Sequence, residues 1–382
     1  MPVQSDSQVI KDPAAARAGA LLTIDLKAVQ SNYFRLCEEI GPRVQCAAAV
    51  KADAYGLGVA KVGPALADAG ARRFFVAQFD EAISLKTALA QAAPDCEIYV
   101  LNGLIAAPAE EFLASGVRPV LNSLGELEDW SAFARLQERA LPTALHIDTG
   151  MCRLGLPDGE FQSLLTRREV LEAIDLQLVM SHLACADTPE HPLNREQLAA
   201  FKKVHAAFPK IPASFANSSG IFLGPEYHFD LARPGVALYG VNPTPAEPSP
   251  MRQVVRLQGK ILQVREIDAP QTVGYGAAHQ AGGPMRIATV AVGYADGYLR
   301  YLSDRGHAWI GDRRVAVVGR VSMDLITLDV TAVPAGEARP GALVDLLDPK
   351  TGVDALADEA GTIGYELLTA LGHRYHRLYL DA

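Results

Sequence analysis

Short apolar segments alternate with amphipathic segments along residues 21–240, and this alternation constrains the fold more than any other feature of the sequence. Strands that alternate with helices form parallel βαβ units, because parallel neighbours need a crossover connection. Eight strands are predicted, with the segments VQCAAAV (44–50), RFFVAQ (73–78), EIYVLNG (97–103), VRPVLNS (117–123), PTALHIDTG (142–150), LQLVMSHL (176–183), ASFANSS (213–219) and DLARPGVALYG (230–240). Eight such strands within about 220 residues meet the requirement of a (β/α)8 barrel of the TIM type.

A doubly wound open sheet is the structural alternative to the barrel. It would favour a glycine-rich GxGxxG turn after the first strand, and this sequence has KADAYGLG there. The barrel is therefore the predicted fold of this part of the chain.

The segment PTPAEPSP at residues 243–250 contains four prolines and separates two regions with different patterns of apolar residues. Prolines at this density make a stiff, extended connector. Beyond it, KILQVREI, MRIATVAVGYADGY and HAWIGDRRVAVVGRV alternate apolar and polar residues between turn signals, which is typical of antiparallel β structure. We predict a loose N-terminal tail at 1–20, a barrel at 21–242, a linker at 243–250 and a mainly-β domain at 251–382.

Composition excludes several classes of function. With 35 Lys and Arg against 44 Asp and Glu, the net charge is −9, which argues against nucleic acid or an anionic membrane surface as a partner. The five cysteines are odd in number and contain no CxxC pair, so neither a disulfide framework nor a zinc knuckle is expected. A reducing compartment, the cytoplasm, fits this cysteine usage, and neither a secretory signal nor an apolar run of about 18 residues is found.

The ends of the predicted strands carry the candidate functional residues, since active sites of barrel enzymes lie at the C-terminal face. Lys51 directly follows the apolar run CAAAV, where desolvation would lower its pKa and make its amine a base or a nucleophile. Taken alone, a solvated lysine at a strand end is the commoner case.

The loops after the seventh and eighth strands, Asn217–Gly220 and Arg233–Gly235, lie where barrel enzymes commonly hold phosphate. Ser218 and Gly235 suit that use, and ordinary turn chemistry is the alternative. Their position in the eight-strand scheme favours the phosphate interpretation.

Other polar residues are ambiguous by themselves. The segment Asp148–Arg153 ends the fifth strand and His182 the sixth, and each is also typical of a solvated turn or a core histidine. No spacing of histidine and acidic residues matches a metal site, so no metal is expected. In the second domain, Tyr275 and Tyr294 stand beside glycines, which would let the backbone approach a ligand, although aromatic turn residues packed on a sheet edge are commoner.

The segment from Val50 to Gly56, VKADAYG, resembles the cofactor-lysine motif of alanine racemases, a family of pyridoxal-phosphate enzymes with a barrel fold. Further segments match the same family in order and spacing: DTGMCRLG (148–155), ANSSG (216–220), RPGVALYG (233–240), VGYG (273–276), GYADGY (293–298) and GRVSMD (319–324). The resemblance covers about residues 21–382, and the set as a whole is specific although each piece alone is weak.

The resemblance implies interconversion of L-alanine and D-alanine with pyridoxal 5'-phosphate, the D-alanine feeding peptidoglycan synthesis. It implies that Lys51 carries the cofactor covalently and acts as one base. Tyr275 would be the second base, on the opposite face of the cofactor and contributed by the other subunit of a homodimer. Two bases on two faces agree with the chemistry, because inversion needs a proton delivered opposite to the side of its removal.

The resemblance also assigns the binding residues. Arg233 would contact the pyridine nitrogen with support from His182, and Arg153 the phenolic oxygen of the cofactor and the substrate. The remaining cofactor-binding residues, most of them at the phosphate, would be Tyr55, Asn217, Ser218, Gly235, Val236 and Tyr375. The remaining substrate-binding residues would be Met323 through its backbone, Tyr294 at the entrance, and Asp324.

Two positions depart from the family pattern. Many members carry a lysine, often carbamylated, at the position of His146, where it braces the arginine that corresponds to Arg153. A protonated His146, an anion or water could take its place here, or the brace could be missing. Leu57 stands where the family often has histidine, and neither change removes a catalytic group.

Three other functions are alternatives to this one. A broad-specificity amino-acid racemase of the same fold differs only in pocket width. A decarboxylase of this fold type would keep the barrel lysine but should lack Tyr275. A non-catalytic pyridoxal-phosphate carrier would resemble the first domain alone, so the β domain that bears Tyr275 argues against it.

Overall fold

The computed structural model describes residues 13–381, and the chain divides into two units. One unit is residues 28–252, and the other combines the chain up to residue 27 with the chain from residue 253 onward. The tail predicted at 1–20 lies outside the described residues as far as position 12, and a short helix and the start of a strand follow it. Within residues 13–381, no helix has both the length and the apolar character needed to cross a bilayer.

The strands, in chain order, are β1 (Ala20–Asp25), β2 (Gln45–Cys46), β3 (Ala48–Ala49), β4 (Arg73–Val76), β5 (Glu97–Val100), β6 (Arg118–Leu121), β7 (Leu141–His146), β8 (Ile174–Met180), β9 (Ala213–Ser214), β10 (Leu231–Ala232), β11 (Val255–Ile267), β12 (Thr272–Val273), β13 (His279–Gln280), β14 (Met285–Val290), β15 (His307–Ile310), β16 (Arg313–Ala316), β17 (Ile326–Asp329), β18 (Leu343–Leu347) and β19 (His376–Leu380). The α-helices are α1 (Pro13–Arg17), α2 (Leu26–Ile40), α3 (Lys51–Tyr55), α4 (Val59–Asp68), α5 (Phe79–Leu89), α6 (Ala109–Ser115), α7 (Leu124–Leu136), α8 (Asp158–Thr166), α9 (Pro192–Ala207), α10 (Val353–Glu359) and α11 (Gly364–Thr369). Short 3-10 turns lie at Gly103–Ala106, Arg168–Leu171, Gly220–Leu223, Pro225–Tyr227, Val236–Tyr239, Tyr275–Ala277, Tyr294–Asp296 and Arg300–Leu302.

The unit at residues 28–252 is a barrel of parallel strands in the order β2-β10-β9-β8-β7-β6-β5-β4-β3. β2 and β3 are two parts of the first predicted strand. β2 pairs with β10, the last strand of the barrel, and β3 pairs with β4, so this one run of chain joins the two ends of the sheet. The sheet therefore closes around eight strand positions, which confirms the predicted (β/α)8 barrel.

The interior of the barrel is filled by side chains from successive strands, as this fold requires. These residues are Ala47, Ala49, Phe75, Tyr99, Val120, Ala144, Leu178, Met180 and Leu231. At the N-terminal end of the strands, the Glu97 carboxylate accepts hydrogen bonds from Arg73 at 2.6 Å and from Arg118 at 2.7 Å. Burial alone would raise the pKa of Glu97, but the two guanidinium groups outweigh it and hold that pKa below its ordinary value.

The second unit is built on a sheet in the order β16-β15-β18-β11-β1-β19, with β14 on the far half of β11 and β17 on β14. The pairs are antiparallel except for β1 with β19. A separate two-stranded hairpin, β12 with β13, carries the turn at Tyr275. These observations confirm a mainly-β second domain.

Three local features differ from the predictions. β1 pairs with β11 and β19 and so belongs to the β unit, although residues 21–27 were assigned to the barrel. The predicted strand 230–240 is short, because Pro234 and Gly235 interrupt it and a 3-10 turn follows. The segment LADEAGTIGYELLTALG (356–372), whose pattern predicts a helix in the β domain, contributes to two helices, α10 and α11, with a break at Gly361.

Candidate functional site

Lys51 lies directly after β3 at the C-terminal end of the barrel and begins α3. Its neighbours across the barrel wall are fixed, since the Ala49 N–H donates to the Pro234 carbonyl and the Val50 N–H to the Phe75 carbonyl, both at 2.9 Å. Burial lowers the pKa of Lys51, the positive charge of Arg153 lowers it further, and Glu81 partly opposes both effects. The amine is therefore unprotonated more often than that of an exposed lysine.

The four residues after Lys51 form a left-handed turn. Ala52, Asp53, Ala54 and Tyr55 have φ angles of 53°, 54°, 55° and 55°. Left-handed backbone costs an ordinary L-residue about 1–2 kcal/mol per position, so the turn is strained and must be held from outside.

Two carboxylates hold this turn. Glu81 Oε1 accepts from the Ala52 N–H at 2.6 Å, while its Oε2 accepts from the backbone at the start of α5. Asp53 Oδ1 accepts from the Val59 N–H at 2.7 Å, which ties the turn to α4. Leu57, one of the two departures from the family pattern, is fully buried behind the turn.

Arg153 lies on an exposed loop after β7. The Asp148 carboxylate organises this loop by accepting from the N–H groups of Gly150 and Met151 at 2.9 Å, and from that of Cys152. The loop closes where the Leu156 N–H donates to the His146 carbonyl at 2.8 Å. Backbone bonds to one carboxylate thus fix the loop that presents Arg153.

His146 is neutral, and its tautomer can be assigned. Asn122 directs its amide NH2 at the carbonyls of Leu101 and Val120, both at 2.9 Å, so its Oδ1 faces His146 Nδ1 at 2.9 Å. Because that oxygen only accepts, Nδ1 carries the proton and Nε2 keeps a lone pair. Burial lowers the pKa of His146 to about 4, and the charges of Arg233 and Arg153 act in the same direction. The protonated form considered as a brace for Arg153 is therefore disfavoured at neutral pH.

Arg233 is buried at the end of β10. Its guanidinium donates to Ser214 Oγ, to the Ser181 carbonyl at 2.6 Å and to His182 Nδ1 at 3.4 Å. Because arginine only donates, His182 accepts through Nδ1, and its ring is neutral with the proton on Nε2. Burial, reinforced by the neighbouring positive charges, holds the pKa of His182 well below its ordinary value.

Arg233 itself is a cation without a counter-ion. Burial lowers its pKa to about 9, which leaves it protonated at neutral pH. Within residues 13–381, no carboxylate forms an ion pair with it. A buried charge of this kind is costly unless a ligand compensates it.

A cradle with hydrogen-bonding groups lies at the ends of β9 and β10. Ser218 Oγ accepts from the N–H groups of Gly235 at 2.9 Å and Ala237 at 3.3 Å. A Cβ atom on Gly235 would overlap the hydroxyl of Tyr55, so only glycine allows the backbone and that hydroxyl to approach so closely. Asn217 stabilises the loop by accepting from the Gly220 N–H at 2.9 Å.

The barrel mouth as a whole favours a small anion. Lys51 after β3, Arg153 after β7 and Arg233 after β10 bring positive charge to the same face of the barrel, while both histidines are neutral. No group of three His, Cys, Asp or Glu side chains in the described part of the chain could hold a metal ion.

Except for Val236, which follows Gly235 and begins a 3-10 turn, the remaining predicted site residues lie in the other unit. Tyr275 is 73% exposed at the tip of the β12–β13 hairpin. Tyr294 and Met323 stand on two turns that bond to each other, with the Tyr294 N–H donating to the Ser322 carbonyl at 3.0 Å. Tyr375 is buried, and its hydroxyl has no hydrogen-bond partner among residues 13–381. Asp324 pairs with Arg374.

Several residues of the site could not be found from the sequence. Ser181 and Ser214 hold Arg233, Asn122 sets the tautomer of His146, and Glu81 anchors the strained turn. Asn122, Ser181 and Ser214 lie within predicted strands, but none of the four residues belongs to a motif quoted above for its chemistry. The roles assigned to the other site residues remain predictions.

Comparison with known proteins identifies relatives over nearly the whole length of the chain. The family model of the alanine racemase N-terminal domain matches residues 24–243, and that of the alanine racemase C-terminal domain matches residues 254–379. An alanine racemase of Rhodospirillum rubrum is 54% identical over 363 residues, which cover 95% of this chain and 96% of the relative. A relative in Mesorhizobium japonicum, named as a catabolic alanine racemase, is 50% identical over 96% of this chain and 94% of its own length.

Solved structures agree with this assignment. The crystal structure of alanine racemase from Bartonella henselae with covalently bound pyridoxal phosphate is similar, with a TM-score of 0.89 and 42% sequence identity. The similarity covers 95% of this chain and 100% of that chain.

Proposed function

The chain belongs to the alanine racemase family, and from this premise we propose that it interconverts L-alanine and D-alanine to supply D-alanine for peptidoglycan. It is a pyridoxal-phosphate-dependent racemase and thus an isomerase. The observation that carries the proposal is the placement of Lys51 beside an anion cradle. The Ala49 N–H donates to the Pro234 carbonyl, and Lys51 lies two residues after Ala49. Gly235, which forms part of the cradle, directly follows Pro234 in the chain.

The residues at the barrel mouth fit pyridoxal phosphate. The Ser218 hydroxyl and the close approach at Gly235 suit a phosphate group. The buried guanidinium of Arg233, which forms no ion pair with a carboxylate of residues 13–381, suits the lone pair of a pyridine nitrogen, and Lys51 offers an amine of lowered pKa for covalent attachment. When bound, this cofactor draws electrons away from the substrate Cα and makes its proton removable.

The other binding residues are those that the resemblance to the family implies. Tyr55, Asn217, Ser218, Gly235, Val236 and Tyr375 hold the cofactor on its phosphate side. Arg153 contacts its phenolic oxygen, and the neutral His182 keeps Arg233 in place.

Lys51 and Tyr275 are the two bases of the reaction. Lys51 Nζ exchanges the proton on one face of the substrate Cα, and Tyr275 Oη exchanges it on the other. Met323 receives the substrate carboxylate through its backbone, Tyr294 lines the entrance, and Asp324 is a further substrate-binding residue.

The functional assembly is a homodimer with composite sites, in which Tyr275 serves the barrel of the partner subunit. Exposed apolar side chains on the β unit support this proposal. Tyr275 is 73% exposed and Met323 54%, and Tyr294 and Leu325 are also exposed, as expected for a surface that a second copy covers. The cytoplasm is the proposed location, consistent with five cysteines that are all free thiols.

A catabolic role is the second candidate for the physiological direction, because the relative from Mesorhizobium japonicum is named as catabolic. Deletion of the gene separates the two roles. A requirement for external D-alanine supports the biosynthetic role, whereas loss of growth on alanine without that requirement supports the catabolic one.

The reaction itself is tested in heavy water with L-alanine and added pyridoxal phosphate. We expect D-alanine to form together with deuterium at Cα. Deuterium without D-alanine would mean that the proton donor on the opposite face fails. If neither D-alanine nor deuterated alanine forms, the proposal is contradicted. The same assay with serine, lysine and arginine distinguishes an alanine racemase from one of broad specificity.

A further inference from the structure

We propose that Arg374 is a positioning residue for the substrate. Its guanidinium joins Asp296 to Asp324 and thereby fixes the turn that carries Tyr294 against the turn that carries Met323. The inference rests on the proposed function, in which Tyr294 and Met323 contact the substrate.

The three side chains form a connected ion triad. Arg374 Nε donates to Asp296 Oδ1 at 2.6 Å, and its Nη2 donates to Oδ2 at 2.8 Å. Its Nη1 donates to Asp324 Oδ1 at 2.7 Å. The Asp296 carboxylate is buried and the Asp324 carboxylate is exposed, so the guanidinium reaches from the interior of the unit to its surface. Only the planar fork of arginine can make these three bonds at once.

Asp296 links the triad to the backbone. Its Oδ2 also accepts from the Gly293 N–H at 2.9 Å, at the start of the Tyr294 turn. Its own carbonyl accepts from the Gly372 N–H at 2.9 Å, two residues before Arg374. The side chain and the backbone of one aspartate therefore connect the Tyr294 turn with the segment that supplies the arginine.

The two turns are packed backbone to backbone. The Tyr294 N–H donates to the Ser322 carbonyl at 3.0 Å, which fixes the peptide plane that carries the Met323 N–H, and the Ala295 N–H donates to the Met323 carbonyl at 3.0 Å. A Cβ atom on Gly293 would overlap the same carbonyl, and one on Gly297 would overlap the Ala370 carbonyl. Such close contact transmits small displacements, so loss of the triad moves the backbone that receives the substrate carboxylate.

The test compares Arg374→Lys with Arg256→Lys. Arg256 also makes a bidentate bond to a carboxylate, at 2.6 and 3.0 Å to Asp345, but it lies on the sheet of the same unit and holds no substrate-binding turn. We expect Arg374→Lys to raise KM for both alanine enantiomers about tenfold and to change kcat much less. Arg256→Lys should lower thermal stability without changing KM.

A double-mutant cycle decides whether Arg374 acts through Asp324. If it does, Asp324→Ala raises KM, and the double variant with Arg374→Lys raises KM little more than the larger of the two single changes. Fully additive effects on the free energy derived from KM would mean that the two residues act separately and would overturn the proposal.

Hydrogen exchange supplies a readout that is independent of activity. The N–H groups of Gly293, Tyr294 and Ala295 should exchange faster in Arg374→Lys than in the wild type, and not in Arg256→Lys. Unchanged exchange together with unchanged KM would overturn the proposal. A wild-type protein that fails to racemise alanine would refute the proposed function, and the exchange result would still decide whether Arg374 joins the two turns.

Discussion

At the scale of single residues, the chemistry of the barrel mouth depends on protonation states that the surroundings impose. Lys51 has a lowered pKa because it is partly buried and close to Arg153, and His146 and His182 are neutral with opposite tautomers. A neutral histidine beside a cation can accept a hydrogen bond through its free ring nitrogen. His146 Nε2 can therefore accept a hydrogen bond, which the protonated ring could not do.

The effect of Arg153 on Lys51 can be measured without the cofactor. Removing a nearby positive charge stabilises the ammonium form, so Arg153→Gln should raise the pKa of Lys51. We expect labelling of Lys51 by a neutral acetylating reagent, followed by peptide mass spectrometry, to reach half its maximum at a higher pH in this variant. Arg139→Gln, a change at an exposed arginine with no assigned role, should leave the profile unchanged. A midpoint that stays the same or falls in Arg153→Gln would contradict the assigned cause.

His146 makes the stability of the protein depend on pH in a defined direction. Its pKa is about 4 in the folded chain and close to 6.5 when unfolded, so between these values the unfolded state binds more protons. Stability attributable to this group is complete above pH 6.5 and is lost toward pH 4, in total on the order of 3 kcal/mol. His146→Asn, which can still donate to Asn122, should therefore lose less stability than the wild type between pH 7 and pH 5.

Urea unfolding at the two pH values measures this difference. The matched control is His191→Asn, since His191 is an exposed histidine that caps α9 and asparagine caps helices equally well. If the control and His146→Asn respond alike, burial of His146 is not the source of the pH dependence.

At the scale of elements, the left-handed turn after Lys51 is the most unusual part of the barrel. Glycine adopts this conformation without steric cost, so Ala52→Gly should be neutral or should stabilise the protein by up to about 1 kcal/mol. Ala132→Gly, at an exposed position inside α7, should destabilise it by about 1 kcal/mol. Chemical denaturation of both variants makes the comparison, and equal losses would show that Ala52 is not left-handed in solution.

The elements also show what sequence periodicity can predict. The eight barrel strands were predicted because apolar runs and helical patterns are local signals. The residues at their ends, Lys51, Arg153, Ser218 and Arg233, followed because parallel strands deliver their C-terminal ends to one face. Neither the left-handed turn nor the bonds of Ser181 and Ser214 to Arg233 could be predicted, because both arise from contacts between elements distant in the chain.

At the scale of the whole molecule, a mixing experiment tests the composite site. Lys51→Ala and Tyr275→Phe should each abolish racemisation, and unfolding and refolding the two together should restore it. In random assortment half of the dimers are hybrids and one of their two sites is intact, so about a quarter of wild-type activity is expected. If both bases come from one chain, every site in the hybrid lacks a base and the mixture stays inactive. Each variant refolded alone serves as the control.

The pairing of β1 sets an order of events during synthesis. β1 is made before the other strands of residues 13–381, yet its parallel neighbour β19 ends only at Leu380. All strands of the barrel have been made by residue 232, and at the usual speed of translation roughly ten seconds separate them from β19. During that interval the leading strand offers an unpaired edge to every other growing chain nearby. The nascent protein is therefore most prone to aggregate before its last strand is made, and a chaperone that covers residues 20–25 would protect it then.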